Sequence, residues 1–497
     1  MTLIFSGNDY KYELEGVMKL FIPATLFTHI YSDKIETEDD YVFAAKEPIC
    51  ENDCNKCETD TTQATLLYVI VSLNGKVCRK EEKVSDDCDM ELTLSRLLYN
   101  AMSELTGIKP KWGVITGIRP VKRVNDMLGE GMSRDEIYKT MEQKYLCCEE
   151  KCDIAYKTAV TQKPALDALD RESFSLYISV PFCPTRCSYC SFVSQSIEGC
   201  MKLIPEYVNK LCEEIVYTAG ITKKLGLKLD TVYFGGGTPT TLTAAQLDRV
   251  MKTIAASFDM SAVREYTVEA GRPDTITEDK LRVLKENGCG RVSINPQTMN
   301  DSVLEAIGRK HNTAQFLDSF ALARKVGFDS INTDIIAGLP TDTVESFKNT
   351  IDSLIDLAPE NITVHTLSIK RAARLNHSGN REVLKNPADK MVEYATERLL
   401  ESGYLPYYLY RQKNMLENLE NIGWTKAGHE SLYNIYIMEE VQTILAMGAG
   451  GSTKLVDLEG GRLQRVFNYK FPLEYNKHFE LMLKRKNEIE EFYAEKE

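Results

Sequence analysis

The chain has 497 residues, 27% of them charged and 43% hydrophobic, with 60 Lys and Arg against 73 Asp and Glu and a formal net charge of −13. That acid excess argues against a nucleic-acid partner, which would call for a surplus of Lys and Arg on one face. No apolar run approaches the roughly 20 residues that cross a bilayer. The length allows roughly two or three domains with cores large enough to need no disulfide staples. The 14 cysteines therefore need another explanation. With no basic, apolar and small-residue succession at the amino terminus, a cytoplasmic, reducing location is expected.

In chain order, residues 1–165 read as an α+β amino-terminal domain. Residues 66–73 and 77–84 flank Asn74-Gly75, a strong signal for a two-residue hairpin. Helices are expected over 92–106 and 133–145, the second opened by Ser133 with Glu136 three residues on, as in a capping box. Residues 112–120 between them are turn-rich. Cys50, Cys54 and Cys57 form a CxxxCxxC set among acidic groups, which oppose thiolate formation, and a second cluster or metal site there stays open. Cys147, Cys148 and Cys152 make a poorer set, because a helix continuing from Tyr145 would bury some of them. Cys78, Cys212 and Cys289 sit in apolar patterns and read as core.

Residues 166–384 alternate between β-rich runs, near 174–181, 229–234, 264–270, 290–295, 328–336 and 361–367, and amphipathic stretches near 203–219, 243–257, 277–287, 313–326 and 342–357. Such alternation specifies parallel strands with helical crossovers. Six strands suit a partial (β/α)6 barrel, although a doubly wound sheet has the same local pattern. In the carboxy-terminal domain, 385–497, a helix near 386–402 precedes an aromatic run over 404–410 and Gly448-Ala-Gly-Gly451. This region reads as a lid or substrate module.

Cys183, Cys187 and Cys190 form a CxxxCxxC triad just after the first barrel strand. A cubane cluster has four irons, so three thiolates leave one iron open, and Pro181 and Pro184 stiffen the loop. Tetrahedral zinc wants a fourth ligand; zinc and structural thiols stay in play on spacing alone. Tyr233-Phe-Gly-Gly-Gly-Thr-Pro-Thr240 ends the second strand, as a ligand cradle or an ordinary tight turn. It is no Walker loop, since no Gly-Lys-Ser/Thr follows. Glu269, Gln297 and Asp334 lie at or after the carboxyl ends of later strands, where parallel αβ folds place their sites. Each alone could be a structural polar group; together they mark one rim. None of the six histidines forms HExxH, which disfavours a zinc hydrolase. His311 is read as positioning the Arg309 loop, and His365 as either packed or facing substrate.

With these residues assembled, the stretch from about 174 to 455 resembles the radical S-adenosylmethionine family of oxygen-independent coproporphyrinogen III oxidases and their heme-chaperone relatives. The resemblance rests on Leu176-Tyr-Ile-Ser-Val-Pro-Phe-Cys183, the triad, Gly235-Gly-Gly-Thr-Pro, Arg291-Val-Ser-Ile-Asn-Pro-Gln297, Ile307-Gly-Arg-Lys-His311 and Asp334-Ile-Ile-Ala-Gly-Leu-Pro, in the family's order. Residues 112–120, 268–274 and 407–411 resemble the dehydrogenase subgroup with an extended amino-terminal domain. The resemblance implies that Cys183, Cys187 and Cys190 bind a [4Fe–4S] cluster whose open iron chelates S-adenosyl-L-methionine. Gly236, Gly237 and Thr238 would line its methionine moiety, Glu269 would bind its amino group and Arg309 its carboxylate. Gln297 and Asp334 would bind ribose, Ile336 would pack on adenine, and Tyr177 would sit beside the cofactor as the catalytic candidate.

The implied reaction is reductive cleavage of the cofactor to a 5′-deoxyadenosyl radical, hydrogen abstraction from two propionates of coproporphyrinogen III, and loss of carbon dioxide to leave vinyl groups. That product is protoporphyrinogen IX of anaerobic heme biosynthesis. The implied partners are a tetrapyrrole substrate and a reduced flavodoxin- or ferredoxin-type donor. A heme-binding chaperone on the same barrel, or methyl transfer with ring opening of a tetrapyrrole, are the alternatives. The sequence departs from many relatives at Ser179, where histidine is common, and at Ala270-Gly-Arg-Pro, where Asn-Pro is frequent. Arg272, Lys370, Arg371, Arg374 and Arg411 are candidate partners for substrate carboxylates.

Overall fold

Asn74 and Gly75 both take positive φ, 51° and 76°, so the turn has the twist that closes a tight hairpin. This computed structural model describes residues 1–23, 25–37, 39–49, 64–85, 87–190, 194–368, 387–412 and 415–494. Cys50, Cys54, Cys57, Lys370, Arg371 and Arg374 lie outside the described residues. The chain divides into two compact units, Met1–Tyr156 and Lys157–Glu497.

In the first unit, strands β1 (Thr2–Ser6), β2 (Thr28–Tyr31), β3 (Tyr41–Pro48), β4 (Thr65–Leu73) and β5 (Lys76–Val84) form one sheet in the order β2-β1-β3-β4-β5. Helices Lys11–Phe21 and Met90–Thr106 bury their apolar stripes against it, with Leu14, Met18, Leu94 and Leu98 meeting Leu3 and Val69. The capping box at Ser133 and Glu136 is present. Its helix ends at Gln143 rather than continuing, because Leu146 turns left-handed at φ 59°, and the next helix begins at Glu149. The segment from Trp112 explains this break: Val114 donates to the Tyr145 carbonyl at 2.9 Å, and a Cβ on Gly113 would stand 2.0 Å from that oxygen. Cys147 and Cys152 are buried in this junction. Burial pushes the Cys148 thiol up to about 11 and the Cys152 thiol to about 12.

The second unit contains all six expected parallel strands: β6 (Ser173–Val180), β9 (Lys228–Gly236), β10 (Glu265–Glu269), β11 (Arg291–Ser293), β12 (Ser330–Ala337) and β13 (Asn361–Thr366). Between β6 and β9 stand two short strands, β7 (Phe182–Cys183) and β8 (Gln195–Ser196), paired with each other. The six strands neighbour one another in chain order without a reversal. A doubly wound sheet would show a switch point. The fold is an α/β partial (β/α)6 barrel.

The carboxy-terminal residues extend this sheet at both edges. β14 (Leu405–Tyr410) and β15 (Asn421–Thr425) add antiparallel beside β13. On the other side β16 (Thr443–Met447) pairs parallel with β6, followed by β17 (Ser452–Asp457) and β18 (Arg462–Phe467). Helix Leu432–Glu439 is fastened near the amino ends of the barrel strands. Glu265 accepts from the Leu432 amide at 2.6 Å and the Ser431 hydroxyl at 2.8 Å, which satisfies donors that a helix start leaves orphaned. Arg291 pairs with Glu265 at 2.9 Å and donates to the His429 carbonyl at 2.6 Å.

Behind the Gly448-Ala-Gly-Gly451 turn lies a fully buried ion pair, Lys486 Nζ to Glu214 Oε1 at 3.0 Å. Glu214 also accepts from the Gly448 amide, Asn468 and Tyr475, and Tyr207 joins Ala449 to the Ser179 carbonyl. Removing one partner of such a pair strands a buried charge. Lys486→Met is expected to cost about 3–5 kcal/mol in urea unfolding, and the double replacement with Glu214→Gln to cost less.

Candidate active site

The cysteine loop is held at both ends by backbone. β6 ends at Val180, and β7 and β8 pair Phe182 with Gln195 and Cys183 with Ser196. From the end of β9, the Gly237 amide donates to the Val180 carbonyl and the Thr238 amide to the Phe182 carbonyl, both at 2.8 Å. A Cβ on Gly237 would stand 2.6 Å from the Phe182 oxygen, and Gly236 takes φ 104°. These two glycines are required for close packing against the cysteine loop. On the far side, the Ser188 amide donates to the Ile307 carbonyl at 3.0 Å.

The loop forms one wall of a cavity of about 330 Å3. Cys183, Cys187 and Cys190 line it together with Gly236, Gly237, Thr238, Glu269, Gln297, Arg309, Asp334 and Ile336. These residues singled out in the sequence, and with them Arg272 and His365, thus share one space. Tyr177 is not among the lining residues. It stacks on Tyr233, with ring centroids 6.2 Å apart and planes within 16°, and Tyr233 lines the cavity.

Each polar group on the rim has a distinct environment. Glu269 is reached by the Tyr233 hydroxyl at 2.8 Å; burial, aided by the charge of Asp334, pushes its carboxyl up to about 7 against that hydrogen bond. Burial opposes ionisation of Asp334 too, yet His365 at 3.9 Å and a hydrogen bond from Asn332 hold its carboxyl below the usual range. Gln297 takes φ 68°, a costly conformation for a side-chain-bearing residue and one that gathers at functional sites. Its amide donates to the Asp334 carbonyl and its own carbonyl accepts from the Ile336 amide, both at 3.0 Å, while its side-chain Oε1 is buried without a partner. Arg309 is buried, donating to the carbonyls of Gly271 and Asn295 at 3.0 and 2.9 Å and to the Tyr189 hydroxyl at 3.2 Å. His311, packed nearby, is held neutral: burial pushes its imidazole down to about 3.

Side-chain donors from neighbouring segments reach the cysteines. Thr238 Oγ1 donates to Cys183 Sγ at 3.4 Å and Arg272 Nη1 to Cys187 Sγ at 3.8 Å. Arg272 therefore faces the cysteine loop, with Asp274 gripping its other edge, and Arg411 donates to the Asn418 carbonyl at 3.0 Å. The sequence motifs contain Tyr233 and Asn295 without giving either a role, and sequence reasoning gives none to Asn332. Strand parity could have found Asn332, two residues before Asp334 and on the same face.

Among the described residues, no three His, Cys, Asp or Glu side chains converge on a point where one metal ion would sit. A cubane cluster offers each thiol its own iron, so the three need only share a wall. The half-buried Glu269 carboxylate suits an ammonium, and the unsatisfied Gln297 Oε1 suits a hydroxyl donor. The donor set fits a cluster with an amino-acid nucleoside beside it.

The Radical SAM superfamily profile matches residues 177–354. The oxygen-independent coproporphyrinogen-III oxidase-like protein HemZ of Bacillus subtilis (strain 168) is 41% identical over 393 residues, covering 78% of this chain and 78% of that protein. The chain belongs to this radical SAM coproporphyrinogen oxidase-like family. Its cofactors are those of the superfamily, a [4Fe–4S] cluster and S-adenosyl-L-methionine. The heme chaperone HemW of Lactococcus lactis is also a relative, 31% identical over 64% of this chain and 79% of its own. The solved coproporphyrinogen III oxidase HemN of Escherichia coli shares the fold, at a TM-score of 0.52 and 24% identity over 66% of this chain and 73% of that one. Among the described residues, no helix is long and apolar enough to cross a membrane.

Two outcomes follow from this family member's geometry. Gly237→Ala forces the Phe182 backbone away and is expected to lower iron retained per chain after anaerobic reconstitution, by iron and sulfide analysis. The Glu269 carboxyl lies at about 7 in the fold against a reference of 4.5, so the folded state holds the extra proton between those values. The resulting stability is complete below about 4.5 and is lost as pH rises through about 7, by on the order of 3 kcal/mol. Urea unfolding of cofactor-free protein from pH 5 to 8 should show this fall, and Glu269→Gln should flatten it.

Proposed function

We propose that this protein oxidatively decarboxylates coproporphyrinogen III, converting two propionates to vinyl groups and giving protoporphyrinogen IX. The observation that carries the radical chemistry is the one cavity in which Cys183, Cys187 and Cys190 face buried Gln297 and Arg309 and half-buried Glu269 and Asp334. The substrate class is supported by the 41% identity to a coproporphyrinogen-III oxidase-like relative. Cys183, Cys187 and Cys190 hold the cluster, leaving one iron for the cofactor. Glu269 faces the cofactor's amino group and Arg309 its carboxylate, as charge-complementary pairs. Gln297 and Asp334 take the ribose, Ile336 the adenine, and Gly236, Gly237 and Thr238 border the methionine end. Tyr177 acts through Tyr233, on which it stacks, and so positions rather than touches.

When bound, the cluster and S-adenosyl-L-methionine supply one-electron cleavage of a sulfonium bond and the hydrogen abstraction that follows. A reduced flavodoxin- or ferredoxin-type protein supplies the electron. The protein is expected to act in the cytoplasm.

The HemW relatives favour a second reading, delivery of heme without turnover. Anaerobic incubation of the reconstituted protein with coproporphyrinogen III, followed by mass spectrometry, separates the two. Vinyl-bearing product is expected, and should vanish in Cys187→Ala together with bound iron. Stoichiometric heme retention with intact propionates would establish delivery instead, and methylated or linear tetrapyrrole would establish a different radical reaction.

A further inference from the structure

Arg272 takes no part in the proposed reaction as set out above, yet its side chain is 4% exposed and is held on every edge. Nε and Nη2 form a two-pronged pair with the Asp274 carboxylate, both at 2.9 Å. The remaining edge, Nη1, points at the cysteine loop: 3.1 Å from Thr185 Oγ1, 3.4 Å from the Thr185 carbonyl and 3.8 Å from Cys187 Sγ. The residue belongs to the Ala270-Gly-Arg-Pro stretch that directly follows β10. A two-pronged Arg–carboxylate contact fixes a guanidinium in plane, so Asp274 aims Nη1 at the sulfur.

We propose that Arg272 sets the reduction potential of the cluster, making it easier to reduce by donating an N–H to the Cys187 sulfur and placing a fixed positive charge beside it. This rests on Cys183, Cys187 and Cys190 being the cluster ligands. Reduction adds one electron, and hence one negative charge, to a cluster already carrying thiolates, taking its core from 2+ to 1+. Hydrogen bonds to cluster sulfurs and nearby charge are what tune such potentials. Burial makes the charge count for more than it would in water. Among the described residues, Arg272, Arg309 and Asp274 bear on Cys187 from this side. Arg272 and Arg309 are cationic, and Asp274 lies on the edge of Arg272 away from the sulfur. His311 is held neutral and adds none. Arg272 thus acts as a positioning and tuning residue, and dithionite or a reduced low-potential protein remains the source of the electron.

The test is an electron paramagnetic resonance-monitored redox titration of the reconstituted full chain, with dithionite as reductant and iron and sulfide counted first. Arg272→Met with its full cluster is expected to shift the one-electron equilibrium at least tenfold toward the oxidised form, 59 mV more negative. Arg272→Lys, which keeps the charge and loses the fork, should recover part of that shift. Asp274→Asn should move the potential the opposite way, because it removes a negative charge and leaves the guanidinium uncompensated. A loaded Arg272→Met cluster that titrates at the wild-type potential overturns the proposal, as does an Asp274→Asn shift in the same direction as Arg272→Met. Should Arg272→Met fail to load, Arg272→Gln, which removes the charge and keeps an N–H donor, is titrated under the same criteria. Failure of the ligand reading looks different: Cys187→Ala would then retain all its iron.

Discussion

Two backbone hydrogen bonds govern the site, from the Gly237 and Thr238 amides to the Val180 and Phe182 carbonyls. They tie the end of the second barrel strand to the loop that leaves the first. Without a side chain at 237, the two segments run at backbone contact, and this fixes where Cys183 leaves the sheet. Thr238 follows at once and reaches the Cys183 sulfur. The glycines thus build the cysteine loop as well as bordering the ligand space. The same stretch of chain meets both requirements because a parallel barrel brings the carboxyl ends of adjacent strands to one rim.

Charge in the cavity is arranged by contrast. Glu269 and Asp334 line the same space, yet burial lifts one carboxyl to about 7 while His365 and Asn332 keep the other low. A cation beside Glu269 would therefore favour its ionised form, whereas Asp334 is a standing acceptor. Arginines occupy the cysteine side. Arg309 is held by carbonyls and Arg272 by Asp274, so their charges stay put while the groups around them change. A ligand with one cationic end and one anionic end meets a matching field before any part of the protein moves.

Much of this was legible in the sequence. Six strands and five helices fell where alternation put them, because a parallel strand buried on both faces has a distinctive apolar run. The Asn74-Gly75 turn and the Ser133 capping box were local signals that need no tertiary knowledge. The rim residues were legible through strand ends and family resemblance. Other features depend on partners far away in the chain. Leu146 breaks its helix because Gly113 brings Val114 to the Tyr145 carbonyl, a contact no window around Tyr145 reveals. Arg272 looked free for substrate carboxylates, and its neighbour Asp274 together with Thr185 claims it instead. Nor does periodicity say that Tyr433 on helix Leu432–Glu439 stacks 4.3 Å from Tyr233.

The pairing of β6 with β16 sets a clock on assembly. β6 ends at Val180 and its neighbour on one side, β16, ends at Met447. At about 5–20 residues per second, translation of the intervening chain takes roughly 13–50 s. From the completion of β9 at Gly236 onward, the strand that launches the cysteine loop has β9 on one flank and an unpaired edge on the other, and bare edges invite pairing with other chains. A nascent molecule thus displays its thiols before the scaffold around them is closed. Iron and sulfide that arrive during synthesis meet an open sheet; those that arrive after residue 447 has emerged meet a finished one.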